Sequence, residues 1–429
     1  MEHLTELLYA KFLQSTGVCT DTRKLEEGNL FFALRGPNFN GNQYATQALE
    51  SSASFAVIDD AAFVVKGRTI LVEDTLLMLQ ELAKFHRSRL RCPILGITGS
   101  NGKTTTKELI RNVLQQKFIV SSTKGNLNNH IGVPLTILEI NPQMEFAIVE
   151  MGASAVGEIA ALCAIAQPTM GLITNIGKAH TETFGGIEGV IRGKSELYDY
   201  LRKTRGQVFI NFIDPVLMNM SKRFENPQIY PDTDMNFINA DPFIAYQAND
   251  RTYQTNLIGS YNFANMSAAL SVGRFMKVDE QLIHEAICAY APDNNRSELS
   301  EVAETGNLIV KDAYNANPDS MRAAIKNFVE MSGKKVAIVG DMNELENPVE
   351  EHSELGQWIS GLSIDEVIFC GELMETAHQA CPGSLHFAAI EALENYVLAS
   401  EWRDTKILLK GSRGVKLEKL FPILEESQK

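Results

Sequence analysis

Short apolar runs alternate with amphipathic stretches along nearly the whole chain. In residues 1–90, Asn29–Leu34, Ser54–Ile58 and Thr69–Val72 predict short strands, and the 3.6-residue pattern of Leu76–Leu90 predicts a helix. A polar Gly/Asn-rich loop, Gly36–Asn42, lies between them. In residues 91–291, Pro93–Leu95, Phe146–Glu150, Met170–Ile176 and Gln207–Asn211 predict buried strands with helical patterns between. In residues 292–429, Leu308–Val310, Val336–Val339, Val367–Phe369 and Ile407–Leu409 repeat that alternation. Strands alternating with helices predict mainly parallel sheets. A chain of 429 residues exceeds one ordinary domain. The expectation is an α/β protein of three domains: a small α/β unit at 1–90, a central parallel-sheet unit at 91–291 and a Rossmann-like unit at 292–429. Pro292–Asn295 is the expected hinge between the last two.

The sharpest local signal is Gly96-Ile-Thr-Gly-Ser-Asn-Gly-Lys-Thr-Thr-Thr106, placed between an apolar strand and a helical stretch at Lys107–Leu114. Gly99, Ser100, Asn101, Gly102, Lys103, Thr104 and Thr105 form the heart of a phosphate-wrapping loop. Lys103 suits the charge of the β- and γ-phosphates, and the Thr104 hydroxyl suits Mg²⁺. The usual pattern would place glycine at 97, where this chain has Ile97. Glu150 closes an apolar strand, which suits either a Mg²⁺ ligand or a solvated strand end. His180 follows a strand in a Gly-containing loop with Glu182 close by, and both structural and functional roles fit it. On its neighbours alone, Lys194 reads as an exposed helical lysine.

In the third block, Asp312–Pro318, Gly340–Glu344 and Lys410–Gly414 each follow a strand end. Three such loops predict one binding face at the carboxyl edge of a sheet. The acidic run Glu344–Glu354 reads as a solvated face.

With 39 Lys and Arg against 53 Asp and Glu, the net charge is −14. That disfavours nucleic-acid or anionic-membrane partners while leaving room for a small anion in a local basic pocket. Six scattered cysteines without a C-x-x-C pair suggest neither a zinc site nor a disulfide framework. No signal-peptide pattern and no run of about 18 apolar residues occurs, so a cytoplasmic protein without membrane insertion is expected. A monomer is the default.

Taken together, these segments resemble the Mur ligase family. The resemblance is carried by Gly-Lys-Thr-Thr at 102–105, Thr123–Asn129, Glu150–Gly152, Asn175–Glu182, Lys194–Glu196, Asn262–Asn265, Asp312–Met321, Gly340–Leu345 and Lys410–Gly414. Asp312–Met321 points to the branch that adds D-alanyl-D-alanine. The resemblance implies ATP, two Mg²⁺ ions, and the substrates UDP-N-acetylmuramoyl-tripeptide and D-alanyl-D-alanine. It implies that the first domain holds the uridine nucleotide, the second ATP and the third the incoming amine. Lys103, Thr104 and Glu150 would then serve ATP·Mg²⁺, His180 a second Mg²⁺, and Lys194 would act as a carbamate. Asn262 and Asn265 would lie near adenine, and Arg296 and Asp312 would reach the nucleotide from the third domain. Asp21, Thr22, Arg23, Asn40 and Gly41 would contact the uridine side. Asn126, Asn128, Asn129, Tyr314, Asn315, Asn317, Lys410 and Arg413 would complete the substrate side. Where family members often have Asp-Gly-His, this chain has Asn40-Gly41-Asn42; it has Tyr261 in place of His and Gly193 in place of Ala.

Three other readings compete. Another amino-acid-adding Mur ligase is disfavoured by Asp312–Met321, and a folylpolyglutamate synthase by Asp21–Arg23 with Gly36–Gly41. A P-loop module that hydrolyses ATP to move a partner would not need three acceptor-side loops on a separate domain.

Overall fold

The computed structural model describes residues 2–293 and 295–426; Asn294, within the expected hinge, lies outside the described residues. The first sheet is parallel, in the order Val18–Cys19, Leu30–Phe32, Phe55–Ile58, Thr69–Leu71. The central sheet has six parallel strands, in the order Gln228–Tyr230, Gln207–Asn211, Met170–Ile173, Ile94–Thr98, Phe146–Glu150, Val120–Ser122. The C-terminal sheet runs Glu298–Val302, Asn307–Asp312, Thr405–Lys410, Lys334–Gly340, Glu366–Cys370, Leu385–Phe387, with only the first strand antiparallel. Ile94–Thr98 and Phe146–Glu150 are buried along their whole length, as strands covered on both faces must be.

Two differences from the expected elements bear on the site. The helix after the Gly-rich loop runs Lys103–Leu114, so it starts at the lysine and not four residues later. Gly102, at φ 77°, turns the chain into it, and Lys103 and Thr104 thereby occupy its first turn. The second difference is an antiparallel sheet, Asn236–Ala240, Phe243–Ala248 and Arg251–Ile258, which no long apolar run marks. Its signal was present: Ile244, Tyr246 and Ala248 are buried at alternate positions.

The first and central blocks share one apolar core, in which Leu30, Val57 and Leu79 pack with Ile94, Val149 and Ile159. The helix Thr75–Arg89 seals that junction with polar groups. Its Arg87 donates from Nε to the Ala166 carbonyl (2.9 Å) and from Nη2 to that of Gln167 (3.2 Å), which caps the helix Glu158–Ala166. The C-terminal sheet has its own core on each face.

Candidate active site

Register fixes where the loops meet. Ile97 pairs with Glu150 and Thr98 with Ile173, so the loops after these three central strands emerge side by side. Gly99 has φ 143°, and a Cβ there would stand 2.0 Å from Thr174 Oγ1. The loop is held by its neighbour: Asn175 accepts from Ser100 N through its carbonyl (3.1 Å) and from Asn101 N through Oδ1 (2.9 Å). Lys103 Nζ donates to the carbonyls of Gly99 (2.6 Å) and Ser100 (3.2 Å). Burial pulls its ammonium down to about 8; Glu150 opposes this and Arg296 adds to it.

Glu150 is 2% exposed and not a solvated strand end. Its Oε2 accepts from Thr104 Oγ1 (3.0 Å) and its Oε1 from Asn128 Nδ2 (2.8 Å). On the other side of the loop, Asn265 Oδ1 accepts from Thr106 Oγ1 (3.0 Å), and Asn265 Nδ2 donates to Asn262 Oδ1 (2.7 Å). Tyr261, in place of the common His, lies 2.6 Å from Ser297 Oγ.

Lys194 is 1% exposed, which overturns its reading as a surface lysine. The amphipathic helix Ile187–Thr204 turns it inward, where Nζ donates to the Ala153 carbonyl (3.0 Å) and lies 5.1 Å from the Phe184 ring centre. A Cβ on Gly193 would stand 2.5 Å from that ring, so this packing explains glycine at 193. Burial first, then repulsion from Lys103, brings the Lys194 amine down to about 7, against the pull of Glu158 and Glu196.

The third domain closes over these groups. Asn317 Nδ2 donates to Asn101 Oδ1 (2.7 Å), so a residue expected to face substrate touches the phosphate loop. His180, at φ 57°, places Nδ1 2.6 Å from Glu344 Oε2, and this neighbour holds Glu344 below the ordinary carboxylate range. Lys178 Nζ pairs with Glu351 at 2.5 Å. The run Glu344–Glu354 is therefore not a merely solvated face: two of its carboxylates grip the loop that carries His180. Lys410 Nζ pairs with Asp312 Oδ2 (2.8 Å), its partner in the strand register, so two residues expected to meet ligands meet each other. The Arg296 guanidinium stacks 3.7 Å from the Tyr314 ring centre.

The result is a cleft of about 1060 Å³ between the second and third domains. Ser100, Asn101, Gly102, Lys103, Thr104, Thr105, Asn126, Asn128, Asn129, Glu150, His180, Asn262 and Asn265 line it from one side. Arg296, Asp312, Tyr314, Asn315, Asn317, Lys410 and Arg413 line it from the other. Gly99 is not among the lining residues, and Lys194 lies behind Ala153, which does line the cleft.

Asp21, Thr22, Arg23, Asn40 and Gly41 are not among the lining residues. Asp21 pairs with Arg23 (2.8 Å), and Asn40 Oδ1 accepts from Asn42 N (3.0 Å). A Cβ on Gly41 would meet the Leu34 carbonyl at 2.4 Å. The cleft instead reaches the first domain through Gln80, whose Nε2 donates to the His130 carbonyl (3.0 Å). Neither residue stands in a motif, and an amphipathic helix carrying Gln80 gives no sign of which polar position meets a cleft.

A phosphate loop, a buried carboxylate beside it and a second α/β domain facing both are the parts that an ATP-dependent ligase needs. The chain matches the Mur ligase family, catalytic domain, over residues 14–87, the Mur ligase middle domain over 97–273, and the Mur ligase, glutamate ligase domain over 295–413. It belongs to the Mur ligase family. Its relative in Bacillus subtilis, UDP-N-acetylmuramoyl-tripeptide–D-alanyl-D-alanine ligase, is 36% identical, over 96% of this chain and 93% of that one. The fold matches MurF from Acinetobacter baumannii with a TM-score of 0.86 at 26% identity, covering 98% of both chains. It matches MurF ligase from Thermotoga maritima, solved in complex with ADP, with a TM-score of 0.85 at 28% identity, covering 97% of this chain and 98% of that one.

Proposed function

We propose that this enzyme adds D-alanyl-D-alanine to UDP-N-acetylmuramoyl-tripeptide in cytoplasmic peptidoglycan precursor synthesis, acting as a monomer. The observation that carries the reading is the single cleft that joins the Lys103–Glu150 phosphate site to the Asp312–Asn317 and Lys410–Arg413 loops. ATP transfers its γ-phosphoryl group to the tripeptide carboxylate, which turns a poor electrophile into an acyl phosphate. The dipeptide amine attacks the carbonyl carbon, loses a proton, and phosphate leaves with the C–O bonding pair. The protein's part is to position the reactants and to balance charge.

Residues 1–90 would hold the uridine nucleotide, residues 91–291 ATP, and residues 292–429 the dipeptide. The Thr104 hydroxyl and Glu150 carboxylate, 3.0 Å apart, form a hard oxygen pair that fits Mg²⁺. Among the described residues no three His, Cys, Asp or Glu side chains gather as a complete metal site. A Mg²⁺ held by that pair together with phosphate and water would supply charge neutralisation at the transferring phosphoryl group.

His180 would serve a second ion, with Lys194 as a carbamate. As an ammonium Lys194 would repel that ion, whereas a carbamate would offer anionic oxygens. A buried amine that titrates at about 7 fits carbamate formation, which needs the neutral form. Asn262, Asn265 and Arg296 would surround the base and ribose. The exposed Arg413 suits a carboxylate on either substrate.

No helix among the described residues is long and apolar enough to cross a membrane. The test is phosphate release from ATP. Release should require both the UDP-linked tripeptide and D-alanyl-D-alanine, and hydrolysis indifferent to both would sink the reading.

A further inference from the structure

Gly177 raises a question that backbone conformation does not answer. Its φ is not positive, so the turn itself does not demand glycine. Within the central domain, the nearest atom that a Cβ at 177 would meet beyond its chain neighbours is Ser100 Cβ, at an ordinary 3.7 Å. What it would strike is Asp319 Oδ2, at 2.4 Å, from the third domain. That same oxygen accepts from Lys178 N at 2.6 Å, so it cannot swing away without losing the bond.

The segment so gripped reaches both halves of the chemistry. Gly177 exchanges two hydrogen bonds with the Ser100 hydroxyl, each 2.9 Å, and thereby braces the phosphate loop. Three residues on stands His180. The Lys178–Glu351 pair and the Glu346 N to Thr181 Oγ1 bond (3.3 Å) hold the same segment from the same side.

We propose that Gly177 and Asp319 form a docking contact that positions the phosphate loop and His180 only when the third domain is seated. Asp319 is a positioning residue, and position 177 is glycine to admit its carboxylate. The proposal rests on the ligase reading, which the wild-type rate with both substrates tests on its own.

The experiment is a double-mutant cycle on kcat/KM for D-alanyl-D-alanine at saturating ATP. A hydrogen bond to a charged group is at stake, so Gly177→Ala and Asp319→Ala should each lower kcat/KM by about 10- to 100-fold. Asp319→Asn keeps an acceptor oxygen for Lys178 N and should stay within about threefold. The double variant Gly177→Ala/Asp319→Ala should be no worse than either single, because removing the carboxylate removes what the methyl strikes. All four variants should keep the wild-type thermal midpoint. Multiplying losses in the double variant, an unaffected Asp319→Ala, or a Gly177→Ala protein that does not fold would each overturn the proposal.

Discussion

Replacing Lys194 with Met keeps a buried unbranched side chain and removes the amine, which separates its charge from its packing. An amine that titrates at about 7 when folded, against 10.5 for an ordinary lysine, is half neutral at pH 7. A free lysine at that pH is neutral in only about one molecule in 3,000. Linkage gives the sign. Between pH 7 and 10.5 the unfolded chain holds a proton that the folded chain does not, so this group favours unfolding more strongly as pH falls from 10.5 toward 7. At pH 7 the disadvantage is about 4 kcal/mol. In CO₂-depleted buffer, Lys194→Met should therefore raise the thermal midpoint at pH 7, and the gain should shrink toward pH 10, while turnover is nearly abolished.

The direct assay is carbon-13 NMR with labelled bicarbonate. Wild-type protein should show a carbamate resonance that grows through pH 7 and is absent from the Met variant. The smaller Lys194→Ala side chain leaves room beside Ala153, so a short-chain carboxylate should restore part of its activity. No carbamate signal at pH 8, together with near-wild-type turnover in either variant, would refute the assignment.

Two further outcomes are expected. His180→Ala should slow the reaction most at low Mg²⁺ and recover partly as Mg²⁺ rises; an unchanged Mg²⁺ dependence would count against a metal role. Burial lowers the pKa of His86, His284 and His352 below the ordinary 6.5, so the folded chain keeps them neutral where the unfolded chain is protonated. Urea midpoints should accordingly fall as pH drops below about 6.5, and midpoints that hold from pH 7.5 to 5 would contradict this.

The central strands were legible because runs such as Ile94–Thr98 and Phe146–Glu150 are buried along their whole length, and Phe146–Glu150 coincides with its run residue for residue. The loops of the cleft were legible for the same reason: Gly99–Thr105, His180, Asp312–Asn317 and Lys410–Arg413 follow strand carboxyl ends. Lys194 was not. Its burial depends on which face of an amphipathic helix packs against Phe184, and lysine at such a position ordinarily reads as solvated. Nor was the pairing of Asp312 with Lys410, since two strands that read alike do not announce that they are neighbours.

The docking contacts were the least legible, for a reason that also bears on how they act. Asn101 and Asn317 are 216 residues apart along the chain, and Lys178 and Asp319 are 141 apart. No local pattern can encode such a pair. Contacts of this kind exist only when the third domain is seated on the second, so they contribute nothing to either domain folding alone. Their free energy goes into the arrangement in which Arg296 and Lys103 share one cleft. Substitutions there should accordingly appear in rates and leave folding unchanged, whereas substitutions at Arg87, which caps a helix across the shared core of the first two domains, should appear in stability. A glycine whose own backbone does not require it, as at 177, is the trace such a contact leaves in the sequence.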